Sequence, residues 1–203
     1  IPLTGGQAGI ITDSNYTNAA ILNVDTKRIL DILKNGKVPI VAGFQGMDDK
    51  SYVTTIGRGG SDVTAALLGA ALNALEVQIY TDVDGIMTAD PRIVSEATLI
   101  RKISYDEIFQ FADQGAKVIH PRAVELCRKY NIPLVIKNTM NECAGTVISN
   151  CEGEVDENII TGITHMKDRV QIEVSKNESS SYVDLFDILA ENLISKIGRA
   201  SCR

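Results

Sequence analysis

Short apolar runs alternate with segments of helical periodicity through the middle of the sequence. That alternation limits the chain to an α/β architecture with a largely parallel sheet. Residues 38–44, 77–81 and 133–137 are such runs and predict buried strands. Residues 62–75, rich in Ala and Leu, predict a helix buried on much of its surface. Residues 105–112 predict a second helix, with Ser104 at its N-cap and Glu107 three positions on, the pattern of a capping box. Residues 121–130 predict a third, with Pro121 in its first turn and Ala123, Val124 and Cys127 on one face.

Composition shifts near residue 150. The stretch 150–158 is polar, acidic and Gly-bearing and reads as a linker between a first domain, 1–149, and a second segment, 159–196. In that segment 159–164 and 170–174 predict strands and 176–181 a loop. Residues 183–193 predict a helix with Val183, Phe186, Leu189, Ala190 and Leu193 on one face. A β-β-α start of this kind cannot bury such a face alone, so more chain is expected downstream. Residues 197–203 continue no pattern and match a common DNA-sequencing adapter read in one frame; they are read as a non-native tail. The opening Ile-Pro-Leu-Thr-Gly-Gly, without Met or a basic leader, is read as a fragment whose start lies upstream.

The 203 residues carry a net charge of -6, which argues against nucleic acid or an anionic membrane as the main partner. No apolar stretch is long enough to span a bilayer. Cys127, Cys143, Cys151 and Cys202 form no CxxC or Cys/His pattern and read as reduced thiols of a cytoplasmic protein. His120 and His165 sit in no ligand spacing, and no metal-ligating residues are assigned.

Three segments carry chemistry. In Gly57-Arg-Gly-Gly-Ser-Asp-Val-Thr-Ala65 the adjacent glycines allow a turn closed to other residues and let a ligand reach the main chain. Ser61 and Asp62 then stand at the start of the long helix, where free N–H groups and the helix dipole favour an anion. Arg58 adds a planar fork for a carboxylate or phosphate. The competing reading is a Gly turn capped by Ser, but it leaves two charges without partners. In Tyr80-Thr-Asp-Val-Asp-Gly-Ile-Met-Thr-Ala-Asp-Pro-Arg92 the loop begins where a strand ends, the place where open α/β sheets bind ligands. Asp82, Asp84 and Asp90 suit a metal ion or a ribose and Arg92 suits phosphate oxygens; the competing reading is a polar loop of Asp turns. In Gln114-Gly-Ala-Lys-Val-Ile-His-Pro-Arg122, Lys117 is placed to present its ammonium to phosphates, against the alternative of a solvated surface Lys. His120 reads as a residue at the start of a helix, against the alternative of a catalytic histidine, and Arg122 as a surface or ion-pair residue. The Walker pattern, the dinucleotide glycine fingerprint and a Ser nucleophile elbow are all missing.

Taken in order, Leu3-Thr-Gly-Gly-Gln-Ala-Gly9, Val41-Ala-Gly-Phe-Gln-Gly46, Thr54-Thr-Ile-Gly-Arg-Gly-Gly-Ser-Asp62, Tyr80-Thr-Asp-Val-Asp-Gly85, Thr88-Ala-Asp-Pro-Arg92, Gly115-Ala-Lys-Val-Ile-His-Pro-Arg-Ala-Val-Glu125 and Ala144-Gly-Thr146 resemble the motifs of aspartokinases. Ile160-Thr-Gly-Ile-Thr-His-Met-Lys-Asp168 resembles the start of their first regulatory (ACT) domain, closer to the diaminopimelate-sensitive bacterial type than to the lysine-sensitive one.

The resemblance implies part of a three-layer αβα amino-acid-kinase fold with a mainly parallel sheet, followed by an incomplete ACT-like β-β-α segment. It implies phosphoryl transfer from ATP, with Mg²⁺, to the side-chain carboxylate of L-aspartate, giving 4-phospho-L-aspartate. Arg58, Gly59, Gly60 and Ser61 would line the substrate site. Asp62 and Lys117 would be the catalytic groups. Tyr80, Thr81, Asp82, Met87, Arg92 and Lys117 would meet the nucleotide, Met87 replacing an aromatic residue that many relatives carry near the adenine. The same resemblance implies a homo-oligomer joined through regulatory domains and an amino-acid effector. It also places the family's Lys-Phe-Gly-Gly segment before residue 1, so that this polypeptide alone is expected to be inactive. The rival readings are a glutamate or acetylglutamate kinase of the same fold, and a non-catalytic amino-acid-sensing module.

Overall fold

The computed structural model describes residues 1–113, 118–150 and 160–165. Lys117, most of the linker, the ACT-like segment beyond residue 165 and the tail lie outside them. Ten strands and four helices follow one another as β1 (Pro2–Leu3), β2 (Ile10–Thr12), β3 (Ile21–Val24), α1 (Lys27–Lys34), β4 (Ile40–Val41), β5 (Gln45–Met47), β6 (Val53–Thr55), α2 (Gly60–Ala71), β7 (Val77–Thr81), β8 (Lys102–Ser104), α3 (Tyr105–Asp113), α4 (Pro121–Lys129), β9 (Leu134–Asn138) and β10 (Thr146–Ser149), counted among the described residues.

The α/β class expected from the alternation is what the chain forms. The strands divide into three sheets, ordered β1-β4, β3-β2-β5-β6 and β7-β9-β10-β8. Parallel pairings (β1 with β4, β2 with β5, β7 with β9, β8 with β10) outnumber antiparallel ones (β2 with β3, β5 with β6, β9 with β10).

Helix α2 is the hub. Its Ala66 joins the cluster of Val77, Ile86, Ile103, Leu134 and Ile136. Val63 packs with Ile10 and Ile56, and Leu68 and Leu72 lie against Leu3, Ala8 and Ile29. A helix touching apolar neighbours on three sides needs small and aliphatic residues all round, which explains its Ala/Leu composition. Gly69 lies so close to β7 that a Cβ there would overlap the Val77 side chain.

The expected elements differ from the observed ones in three places. Helix α2 begins at Gly60 and ends at Ala71, not at residue 75: Asn73 takes a φ of +50° and Ala74 N donates to Gly69 O at 2.9 Å, turning the chain towards β7. The run 38–44 forms a strand only at Ile40–Val41. Phe44 then adopts a φ of +69°, its carbonyl accepts from Ile56 N at 3.0 Å, and the chain leaves the β1-β4 sheet to enter β5. Apolarity alone marks both halves of that run alike, so the break between them is invisible to it. Residues 160–164, the described part of the strand expected at 159–164, do not form one.

The capping box of α3 forms as read: Ser104 N and Oγ both donate to Glu107 Oε2, at 3.0 and 2.6 Å, and Glu107 N donates to Ser104 Oγ at 3.2 Å. In α4, Pro121 stands in the first turn and Ala123, Val124 and Cys127 are buried. No described helix is long and apolar enough to cross a membrane.

Candidate functional site

Two short connections decide which ends of the elements meet. Helix α2 is about 18 Å long and β7 about 16 Å. Five residues join them, and Gly69 near the end of α2 packs on Val77 at the start of β7. The two therefore run antiparallel, and the N-terminus of α2 lies at the end of the molecule where β7 finishes. Helix α4 and β9 repeat the arrangement with four connecting residues. Since β7 and β9 are parallel, with Thr81 opposite Asn138, both strand ends and both helix N-termini fall at one edge.

At that edge the first and third segments touch. His120 N donates to Asp62 Oδ2 at 3.2 Å, across 58 positions of sequence. Arg122 Nη1 donates to Ile56 O at 3.1 Å, tying α4 to the strand exit that leads into the glycine turn. Gly57 and Gly59 hold φ of +81° and +73°, and a Cβ on Gly59 would overlap the His120 ring. Gly59 is the N-cap of α2, and no side chain caps the helix. That replaces the reading of a Ser-capped turn: Ser61 and Asp62 sit in the first turn, and Asp62 is spent on the neighbouring loop. Arg58 and Ser61 are exposed and Gly60 is buried beneath Phe44, whose Cδ2 would lie 2.6 Å from an added Cβ.

His120 caps α4 by accepting from Arg122 N on Nδ1 at 3.3 Å, as its reading at a helix start requires. An acceptor Nδ1 belongs to a neutral ring. Burial, then Arg122, push its pKa below the ordinary value, with Arg58 adding to the shift and Asp62 opposing it.

The second segment leaves the same edge from β7. Thr81 O accepts from Thr139 N and Oγ1, at 2.8 and 3.0 Å, which locks the exits of β7 and β9 together. Thr81 Oγ1 donates to Asp82 Oδ1 at 3.1 Å. Asp84 accepts from Asn138 Nδ2 at 2.7 Å and Asn141 Nδ2 at 3.3 Å. Tyr80 and Asp82 are exposed and Met87 is half-buried, paired with Leu99 by an isolated bridge. Arg92 closes on Asp90 through two side-chain bonds, Nε to Oδ1 at 3.0 Å and Nη2 to Oδ2 at 2.8 Å. This fork holds the Asp90 carboxyl down at about 2.

The structure therefore joins Arg58 to Asp62 with the His120 loop, and sets both at the edge where Tyr80 to Asp84 emerge. Phe44, Asn138 and Asn141 belong to the same region and were not singled out from the sequence. The first is betrayed only by its positive φ and the other two only by pairing with a distant Asp. Among the described residues no three or more His, Cys, Asp or Glu converge as metal ligands.

Comparison with known proteins agrees with this architecture. The profile of the amino acid kinase family matches residues 1–138. Aspartokinase 1 of Bacillus subtilis is 46% identical over 177 residues, covering 85% of this chain and 44% of its own length. The crystal structure of E. coli aspartokinase III in complex with aspartate and ADP superposes with a TM-score of 0.65 at 36% identity, over 73% of this chain and 35% of that one. Clostridium acetobutylicum aspartate kinase gives 0.68 at 32% identity, over 80% and 37%. The chain thus spans less than half the length of these relatives, and with most of its residues matched by the family profile it belongs to the amino acid kinase family.

Proposed function

We propose that the protein containing this chain is an aspartate kinase. A side-chain carboxylate oxygen of L-aspartate attacks the γ-phosphorus of ATP, the bond to the β–γ bridging oxygen breaks, and 4-phospho-L-aspartate and ADP leave. The observation that carries this reading is the bond from His120 N to Asp62 Oδ2, which brings two helix N-termini together beside the exits of β7 and β9. Two anions must meet in this reaction, and paired positive helix ends with flexible cations oppose that repulsion without reorganising. The attacking carboxylate is already ionised, so no general base is required.

In this reading Arg58 grips a carboxylate of aspartate while Gly59, Gly60 and Ser61 offer it backbone and hydroxyl groups. Asp62 acts by orientation: it holds the backbone of His120, three positions after Lys117 in the sequence. Tyr80, Thr81, Asp82 and Met87 border the nucleotide, and Lys117 and Arg92 serve its phosphates, Arg92 with its fork pre-oriented by Asp90. Mg²⁺ ordinarily needs one or two carboxylates besides substrate phosphates. The exposed Asp82 fits that modest demand. The segment after residue 159 is the proposed start of an ACT domain through which copies pair and an amino-acid effector acts.

The decisive experiment traps acyl phosphate as the hydroxamate, using the full reading frame that encodes this chain, with ATP and either aspartate or glutamate. Aspartate-dependent hydroxamate that falls at least a hundredfold in Arg58→Ala is the expected result. Preference for glutamate, or no acyl phosphate with either acid, would overturn the assignment.

A further inference from the structure

Residues 160–165 lie against the loop that carries Met87 to Arg92 and are fastened to that loop at one point and to α3 at another. Ile163 N donates to Thr88 O at 2.8 Å. Thr88 is itself the clasp of that loop: its N donates to Thr98 O at 2.9 Å and its Oγ1 accepts from Thr98 N at 3.0 Å. Ile100 N donates to Ile86 O at 2.8 Å, so the two arms form a ribbon and Ile163 extends its edge.

Two positions earlier, Thr161 Oγ1 donates to Glu107 Oε1 at 2.6 Å. The other oxygen of that carboxylate is already taken by Ser104 in the capping box. Burial works to raise the Glu107 pKa, but the bonds from Ser104 and Thr161 outweigh it and hold the group below its ordinary value. Gly162, between the two fastenings, passes through a slot with no room for a side chain. A Cβ there would lie 2.7 Å from Phe111 Cζ and 2.8 Å from Thr88 O.

We propose that residues 160–165 are a strap that positions the nucleotide-side loop against α3, with Thr161 as a positioning residue for ATP binding. The inference rests on the reading of residues 80–92 as the nucleotide side of the site. A fastening at Thr88 constrains the ribbon from which Asp90 and Arg92 project, while Arg58 and the α2 glycine turn are held by Asp62, His120 and Arg122 instead. Loosening the strap therefore weakens ATP binding selectively.

The test uses the full reading frame with Thr161→Val, Thr161→Ser and Gly162→Ala. Amide hydrogen exchange at Thr88, Thr98 and Ile100 is measured beside the KM for each substrate. Removing one such hydrogen bond is expected to speed exchange about fivefold in Thr161→Val and to raise KM for ATP by about the same factor. The KM for aspartate and kcat stay within about twofold, and Thr161→Ser returns both readouts to wild type. Gly162→Ala, which must lift the strap, exceeds Thr161→Val in both. Unchanged exchange in Thr161→Val and Gly162→Ala would overturn the strap, and so would equal rises in both KM values. A wild-type protein that turned over no ATP would contradict the kinase reading, while the exchange comparison would still decide the strap.

Discussion

At the scale of single residues, some titrations are displaced by a fixed partner and others by burial. Asp90 lies two positions from Arg92, and proline between them sets a turn in which the guanidinium closes on the carboxylate. Its pKa falls from an ordinary 3.8 to about 2, chiefly through the side-chain bonds from Arg92. A lowered carboxylate pKa contributes stability above the unfolded value, lost as pH falls through about 2. In Arg92→Gln the Asp90 midpoint should return most of the way to 3.8 when followed by carboxyl NMR. A midpoint still near 2 would mean that other groups hold it. Tyr105 is different: only 1% exposed, it donates from its hydroxyl to Ile132 O at 2.6 Å, and burial pushes its pKa up to about 12. Tyr105→Phe leaves that buried carbonyl without its donor and should cost about 1–3 kcal/mol in urea unfolding.

At the scale of elements, the sequence was most readable where the signal is local. The strand at Val77–Thr81, the Ser104–Glu107 box and the Pro121 helix start each depend on residues within a few positions of one another. The turn at Phe44 was not readable, because an apolar run has no mark for a residue that takes a positive φ where its N–H meets Thr64 of a distant helix. The site was half readable for the same reason. Glycines and charges named its parts, but Asp62 meeting His120 and Asp84 meeting Asn138 are tertiary facts. The bond from the His120 backbone N–H to Asp62 is likewise one that no local pattern announces. The glycine turn yields a sharp prediction. Gly59→Ala forces an L-residue to a φ of +73°, costing about 1–2 kcal/mol, and pushes the His120 ring aside. Its stability loss should therefore exceed that of Gly36→Ala, where φ is +68° but nothing lies within 4 Å of an added Cβ. Equal losses would show that His120 is not packed on the turn.

At the scale of the molecule, one helix organises the rest. Because α2 buries side chains into three separate apolar clusters, its N-terminus cannot shift without disturbing all three. The site edge therefore inherits the rigidity of the core. Each half of the proposed chemistry then hangs from it by a different route: the acceptor side through the glycine turn, the nucleotide side through β7 and the ribbon beneath the strap. The measurement that tests this arrangement most directly is an amide NMR titration of the full protein with aspartate and with Mg²⁺–ADP, added singly and then together. Aspartate should move the resonances of Arg58 to Asp62, Mg²⁺–ADP those of Thr81 to Arg92, and the second ligand should shift the signals of the first. Perturbations scattered away from these segments, or two ligands blind to each other, would contradict a single shared site.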